Sequence, residues 1–270
     1  MKLQLTNNFR PYFDQIARLV QYLRTVDDSA FVPRSDIVGA LGLSERQVKH
    51  LSNEAIEFGL IKPKIFLLTE LGKVIADKDG FFERLETLWI IHYNISCNPE
   101  WVVWHRMVNQ VIPSNETITI SETALPYFDD LKNHFSQRTI EDKLPKEIGV
   151  VLWTYAHSSL AKLNFLEQVD TGEYRRSYPV DVPPLAFLVC LLTYRDKTTQ
   201  GATAMTVEET ARGENSPGMV LNLPESTVRQ LLNQLHDTGL VRLEQFGDLD
   251  QVRFSDGLTR QQVLQHIYAG

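Results

Sequence analysis

Residues 41–64 read LGLSERQVKHLSNEAIEFGLIKPK. Ser44 stands three positions before Gln47, the spacing of a capping box that opens a helix. Val48, Leu51, Ala55 and Phe58 then recur at helical spacing until Gly59 ends the run. A shorter helix over 35–41 precedes it through Gly42. The pair Leu60-Ile61 follows, then Lys62, Pro63, Lys64 and a second apolar run over 65–68. Helix, tight turn, helix and small β-wing together predict a winged helix-turn-helix.

The stretch has a second copy. Residues 221–244, LNLPESTVRQLLNQLHDTGLVRLE, lie 180 positions further on and repeat the leucine, valine and glycine landmarks, with Arg229 in the place of Lys49. Here VRLEQF and DQVRFS flank Gly247-Asp248, which predicts a hairpin wing. A repeat makes accidental helix patterning an unlikely source of both. The expected fold class is mainly α with small β-wings, as tandem winged helix-turn-helix domains around a helical, tryptophan-rich middle. The expected units are an N-terminal winged helix at 1–80, a helical middle at 81–200 and a C-terminal winged helix at 201–270.

At 270 residues the chain is long enough for two or three small domains. No secretory leader is read at its start, and with Cys97 and Cys190 as the two cysteines a reducing cytoplasm is expected. The net charge of −7 argues against a protein that coats nucleic acid indiscriminately, yet residues 1–80 hold 11 basic against 10 acidic side chains while the remainder holds 16 against 24. A local, salt-sensitive DNA affinity is compatible with that distribution.

Phe13, Ile16, Ala17, Val20 and Leu23 stripe an opening helix that ends near 27–29 and carries Arg10, Arg18 and Arg24 on its surface, either as solvated charge or to lie along phosphates. Helices are expected over 69–76 and 81–95, and over 98–111 with Asn98 as cap and Pro99 first. His92, Cys97 and His105 lack an evident fourth ligand and straddle a helix boundary, so no metal site is assigned. A polar loop over 114–120 precedes helices expected at 122–136 and 146–157, a candidate third helix-turn-helix. Asp129, Glu141 and Lys143 imitate the D…E-x-K order of Mg²⁺-dependent nucleases, but the segment lacks strand character, and they stand only as weak catalytic candidates. A β-hairpin is expected at 164–180, where Arg175 and Arg176 between Tyr174 and Tyr178 either grip nucleic acid or pair with Glu167 or Asp170. Residues 185–194 predict a buried helix, Thr206 with Glu209 another capping box, 213–218 a turn, and 259–268 a closing helix. Phosphate-loop, dinucleotide, zinc-protease and nucleophile-elbow motifs are absent.

Five landmarks in order, the helix-turn-helix ending in Gly-Leu-Ile, LTELGKVI at 68–75, TLWIIHYNISCNP at 87–99, VVLWTYA at 150–156 and NSPGMVLNL at 215–223, resemble the bacterial domain-of-unknown-function family numbered four thousand and seven. The resemblance implies an association with phage defence and DNA phosphorothioation gene clusters. There a member of this kind nicks DNA beside a cysteine desulfurase, an ATPase and a sulfurtransferase. The chain reads as a divergent member: residues 7–13, NNFRPYF, replace an F-x-G-H-E-T-F-like opening, and Asn53-Glu54-Ala55 replace an R-Y-W-like sequence. No family catalytic residue falls on a matching position.

The expected function is DNA binding within such a system. Arg46, Gln47, Lys49 and His50 would face the groove with Lys62 and Lys64 on the wing. Ser226, Thr227, Arg229 and Gln230 would do so in the second copy, with Arg242 and Arg253 on its wing. The alternatives are a metal-dependent nickase, for which Mg²⁺ is the implied cofactor, and an adaptor or transcriptional regulator without catalysis. DNA, other subunits of a complex and a second copy of the chain are the expected partners; a membrane is not.

Overall fold

The computed structural model describes residues 1–5, 9–26, 31–178, 181–199, 201–246 and 249–269. Three of the expected features, the helix end at 27–29, the hairpin turn at Gly247-Asp248 and the start of the 7–13 segment, lie outside the described residues, as does Val180 of the expected 164–180 hairpin. The protein is mainly helical with two small three-stranded antiparallel sheets. No helix among the described residues is long and apolar enough to cross a membrane.

Helix α1 (Phe13–Arg24) buries the predicted stripe, and α2 (Arg34–Leu41) ends at Gly42, whose φ of 66° turns the chain through the left-handed region. Helix α3 (Glu45–Glu57) opens with both halves of the capping box: the Gln47 N–H donates to Ser44 Oγ at 3.3 Å, and the Ser44 N–H donates to Gln47 Oε1 at 3.0 Å. Val48, Leu51, Ala55 and Phe58 are buried against α1 and α2. The wing expected next is a single antiparallel bridge, Ile61 to Leu68, with the Lys62 N–H donating to the Leu67 carbonyl at 2.7 Å. The left-handed residues Lys64 and Phe66 bend the loop too sharply for a longer ladder. Helix α4 (Glu70–Lys78) is capped by Thr69.

The middle departs from expectation in four places. The helix placed at 98–111 starts at Val102, because Asn98 Oδ1 accepts the Glu100 N–H at 3.1 Å and folds 98–100 into an Asx turn. It follows α5 (Leu85–Ser96) as α6 (Val102–Arg106), a π-helical turn over Met107–Val111 and α7 (Ile112–Ser114). The polar loop at 114–120 contains strand β1 (Thr117–Thr119). The helix expected at 122–136 is a π turn and a 3-10 segment, Leu125–Asn133. Finally, α8 (Gln137–His157) runs straight through Pro145, so the third helix-turn-helix does not form there. Proline removes only the bond to the Glu141 carbonyl, and the buried residues after it, Ile148, Val151, Leu152 and Tyr155, hold the helix together.

Strands β2 (Leu166–Asp170) and β3 (Glu173–Arg176) form a hairpin around Gly172, and β1 pairs with β3 on its other side. Helix α9 (Pro184–Thr198) buries 186–194 without interruption. The carboxy-terminal unit follows: β4 (Ala204–Thr206), α10 (Val207–Arg212), α11 (Pro217–Val220), α12 (Glu225–Asp237), β5 (Val241–Phe246) and β6 (Leu249–Phe254), in sheet order β4-β6-β5. Helices α3 and α12 are both 13 residues long, and the next glycines, Gly59 and Gly239, both take positive φ. Helix α13 (Arg260–Ile267) packs on α9 and reaches back to α4.

One continuous core runs from Leu3 to Tyr268. At its centre His92 is fully buried, with Nδ1 2.6 Å from the Tyr155 hydroxyl and Nε2 2.9 Å from the Val220 carbonyl. A carbonyl only accepts, so Nε2 carries the proton and the Tyr155 O–H donates to Nδ1. Burial pushes the imidazole down to about 4, so it is neutral at pH 7. Tyr155→Phe leaves that nitrogen only the marginal contact with the Ser96 hydroxyl at 3.5 Å. The expected loss is about 1–3 kcal/mol in urea unfolding, and an unchanged midpoint would show that the bond contributes nothing.

Candidate nucleic-acid interface

On α3 the apolar stripe is spent on the core, which leaves Arg46 and Lys49 exposed. Gln47 has its carboxamide oxygen engaged by the capping box. His50 is turned inward, 4 % exposed and stacked on Phe9 with ring centroids 4.9 Å apart. Burial first, then Arg46 and Lys49, depress its pKa, so it is a neutral packing group rather than a cation facing a groove. The guanidinium of Arg46 lies 5.3 Å from the same Phe9 ring. Lys62 and Lys64 are exposed in the loop after α3. Among the described residues, Arg46, Lys49, Lys62 and Lys64 form no ion pair.

The arm at Phe9 and Arg10 adds contacts to this face that the sequence does not predict. It crosses the start of α3, and the Arg10 guanidinium sits 4.6 Å from the Trp153 ring of α8. A cation–π pair between residues so far apart in sequence has no local signature; an arginine between two aromatics was its only trace.

In the second copy Ser226 and Gln230 are exposed on α12 and Thr227 is half-buried. Its cations are mostly neutralised from within: Arg229 forks onto Asp250 of β6, and Arg253 reaches Glu244 at 2.8 Å. Arg242 is exposed directly opposite Arg253 in the ladder. The hairpin arginines are spent in the same way. Arg175 pairs with Glu167 at 2.6 Å, its cross-strand partner, and Arg176 donates to the Pro113 carbonyl. Tyr174 is buried, while Tyr178 is 82 % exposed. On α1, Arg18 donates to the Leu41 carbonyl at 2.9 Å and Arg24 pairs with Asp77 at 2.7 Å.

The carboxylate–lysine set does not converge. Asp129 pairs with Lys132 at 2.6 Å, and Glu141 accepts from Gln137 at 2.8 Å. Glu141 and Lys143 are two residues apart on a helix, which sends them to different faces, whereas a strand would align them. His92, Cys97 and His105 are also held apart: His105 Nε2 is 2.7 Å from Asn215 Oδ1, and the Cys97 thiol lies 3.4 Å from Lys197 Nζ. A carboxyl pair unforeseen in the sequence lies behind α3. Glu54 of α3 and Glu147 of α8, each 2 % exposed, lie near enough for the charge of Glu147 to act on Glu54, and Glu147 accepts the Leu5 N–H at 2.8 Å. Burial, and secondarily Glu147, push Glu54 up to about 8.

No curated protein matches the sequence. The fold is similar to two solved structures: one titled as the magnesium ion-bound SspB crystal structure (TM-score 0.79, 15 % identity, 100 % of this chain and 88 % of that one) and one titled as the SspB crystal structure (TM-score 0.78, 15 % identity, the same coverage). Magnesium takes near-octahedral oxygen ligands and keeps several waters. Among the described residues no three His, Cys, Asp or Glu side chains gather to hold a metal, and the close Glu54–Glu147 pair is sealed from solvent with Glu54 protonated at neutral pH. One family model matches residues 27–268, a span that contains all five sequence landmarks, and the chain belongs to that family, described as a protein of unknown function (DUF4007).

Proposed function

We propose that this chain is a DNA-binding subunit of a bacterial DNA-modification or defence system of the phosphorothioation type. Residues 1–80 and 201–270 act as tandem winged helices on either side of the 81–200 middle, and the first makes the principal contact with the duplex. The observation that carries the reading is the contrast between the two copies. Arg46, Lys49, Lys62 and Lys64 have no carboxylate partner among the described residues, whereas Arg229 and Arg253 are paired with Asp250 and Glu244. Cations already paired have little left to offer a phosphate, and those without a counterion gain by displacing ions from DNA. Family membership and the likeness to SspB support placement in such a system. Phe81 and Tyr178, 77 % and 82 % exposed, suit contacts with its other subunits.

The test is fluorescence anisotropy of a labelled duplex with the full chain. With roughly four phosphates neutralised, affinity should fall about 100-fold between 50 and 200 mM salt. Lys49→Glu should weaken binding at least about tenfold and Arg229→Glu clearly less, because Asp250 already neutralises Arg229. Absence of binding at 50 mM salt, or a larger loss from Arg229→Glu, would sink the proposal. Supercoiled plasmid incubated with Mg²⁺ and with chelator tests the nickase alternative. Metal-dependent nicking that persists in Asp129→Ala and Glu141→Ala would establish an enzyme whose site lies elsewhere.

A further inference from the structure

A cleft that DNA binding does not use lies where α3 and the loop after it meet α5, α9 and α13. Its cavity of about 300 Å³ opens beside a second of about 440 Å³, and the two share Thr193, Lys197, Arg260 and Leu264. Ile56 and Pro63 give the first cavity an accessible apolar wall, backed by Ile90, Val189 and Leu264, which are only 1–2 % exposed. The carboxylates on the rim are engaged by other groups. Glu57 accepts from Asn98 Nδ2 at 2.8 Å, Glu70 is held by Gln261 at 3.3 Å and Lys73 at 3.7 Å, and Asp196 pairs with Arg195 at 2.8 Å.

The two cations are not so engaged. Lys197 Nζ contacts the neutral Cys97 thiol at 3.4 Å, and Arg260 contacts the Thr193 hydroxyl at a marginal 3.5 Å. Among the described residues neither forms an ion pair. Two cations bordering both cavities, without counterions and beside an apolar wall, suit a ligand with an anionic head and an apolar body. Asn94 also lines the first cavity; its Nδ2 donates to the Phe58 carbonyl at 2.9 Å, and its Oδ1 accepts no hydrogen bond among the described residues. That oxygen is free to take an amino group from the ligand.

We propose that this cleft binds a nucleoside phosphomonoester, with Lys197 and Arg260 on the phosphate and an amino-bearing base against Ile56 and Pro63, within reach of the Asn94 carboxamide. The ligand bridges the N-terminal unit and the carboxy-terminal helices, a role separate from groove contact by α3. A free nucleotide and the 5′-phosphorylated end of a DNA strand share this chemistry.

Isothermal titration of the full chain with AMP tests it. Saturable binding is expected, weakened at least about tenfold by Lys197→Gln or Arg260→Gln and more by the double variant, whose exposed side chains can be exchanged without refolding the core. Lys49→Glu should leave AMP binding unchanged, which separates this site from the DNA interface. Competition of AMP by a 5′-phosphorylated oligonucleotide but not by its dephosphorylated form would identify a DNA end as the source; no competition by either would identify the free nucleotide. The proposal is overturned by no saturable binding at millimolar AMP, by binding that both glutamine variants retain, or by inorganic phosphate binding as tightly as AMP, since the apolar wall would then contribute nothing.

Discussion

Gly72→Ala is expected to destabilise the protein by about 3 kcal/mol or more, at the upper end of what overpacking costs. In an exposed helix the same change would stabilise by up to about 1 kcal/mol. Here an added Cβ would stand 2.1 Å from the Leu60 carbonyl oxygen, 3.0 Å from its carbon and 3.2 Å from Leu68 Cδ2. The obstacle is backbone, and it is held from the other side: the Leu60 carbonyl accepts the Thr69 N–H at 2.9 Å, while Thr69 Oγ1 caps α4 through the Gly72 N–H at 3.0 Å. Relief requires α4 to lift from the bridge between Ile61 and Leu68, which disturbs the loop carrying Lys62 and Lys64. Gly39→Ala in α2 is the matched control, because a Cβ there meets nothing within 4 Å. Urea unfolding should show a lower midpoint for Gly72→Ala and an equal or higher one for Gly39→Ala; equal behaviour of the two would disprove the close approach.

The second large effect concerns pH. Glu54 titrates near 8 in the folded protein and near its ordinary value of 4.5 when unfolded. Between those values the folded state holds a proton that the unfolded chain has released, so stability is greatest below about 4.5, falls as pH rises and levels off above about 8. The loss across that window is on the order of a few kcal/mol for so buried a group. Glu54→Gln keeps the shape and removes the titration. Thermal unfolding from pH 5 to 9 should show the wild type losing Tm with rising pH much more steeply than Glu54→Gln, with the variant the more stable at pH 9. Parallel profiles would mean that Glu54 ionises freely in the folded state.

These two sites differ in how much of them the sequence displayed. At Gly72 the LTELGKVI segment carries Thr69 three residues ahead, a legible cap, but the carbonyl that excludes a Cβ belongs to Leu60, in the loop after α3. Glu54 looks like a charge on a helix, four residues from His50 and preceded by the polar Ser52 and Asn53. Nothing local says that Glu147 of α8 closes over it. The missed strand β1 is similar: the alternation Thr117-Ile118-Thr119-Ile120 is too short to specify a strand alone and becomes one where β3 offers it an open edge. Pro145 misled in the opposite direction, since a local rule that ends helices yielded to the packing of the residues beyond it.

The candidate interface divides along the same line. Arg46, Lys49, Lys62 and Lys64 could be read as an exposed basic set because helical periodicity alone assigns Val48, Leu51 and Ala55 to the core. His50, by the same periodicity, was free to face either way, and the Phe9 ring decided the matter. Likewise Arg229 and Lys49 look equivalent in the repeat until Asp250 is seen across the hairpin.

The sequence by itself determined the capped start of α3, the glycines that end α3 and α12, the 180-residue spacing of the two, the apolar faces they bury and the family to which the chain belongs. Those properties depend on interactions within one or two helical turns, where spacing is structure. Only the tertiary structure decided which cations keep their charge for a ligand, that Glu54 is driven toward its neutral form, and where a cleft opens between α3 and α13. Counterions, desolvation and cavities are set by residues brought together from distant parts of the chain, and their energies depend on distances that no local pattern encodes.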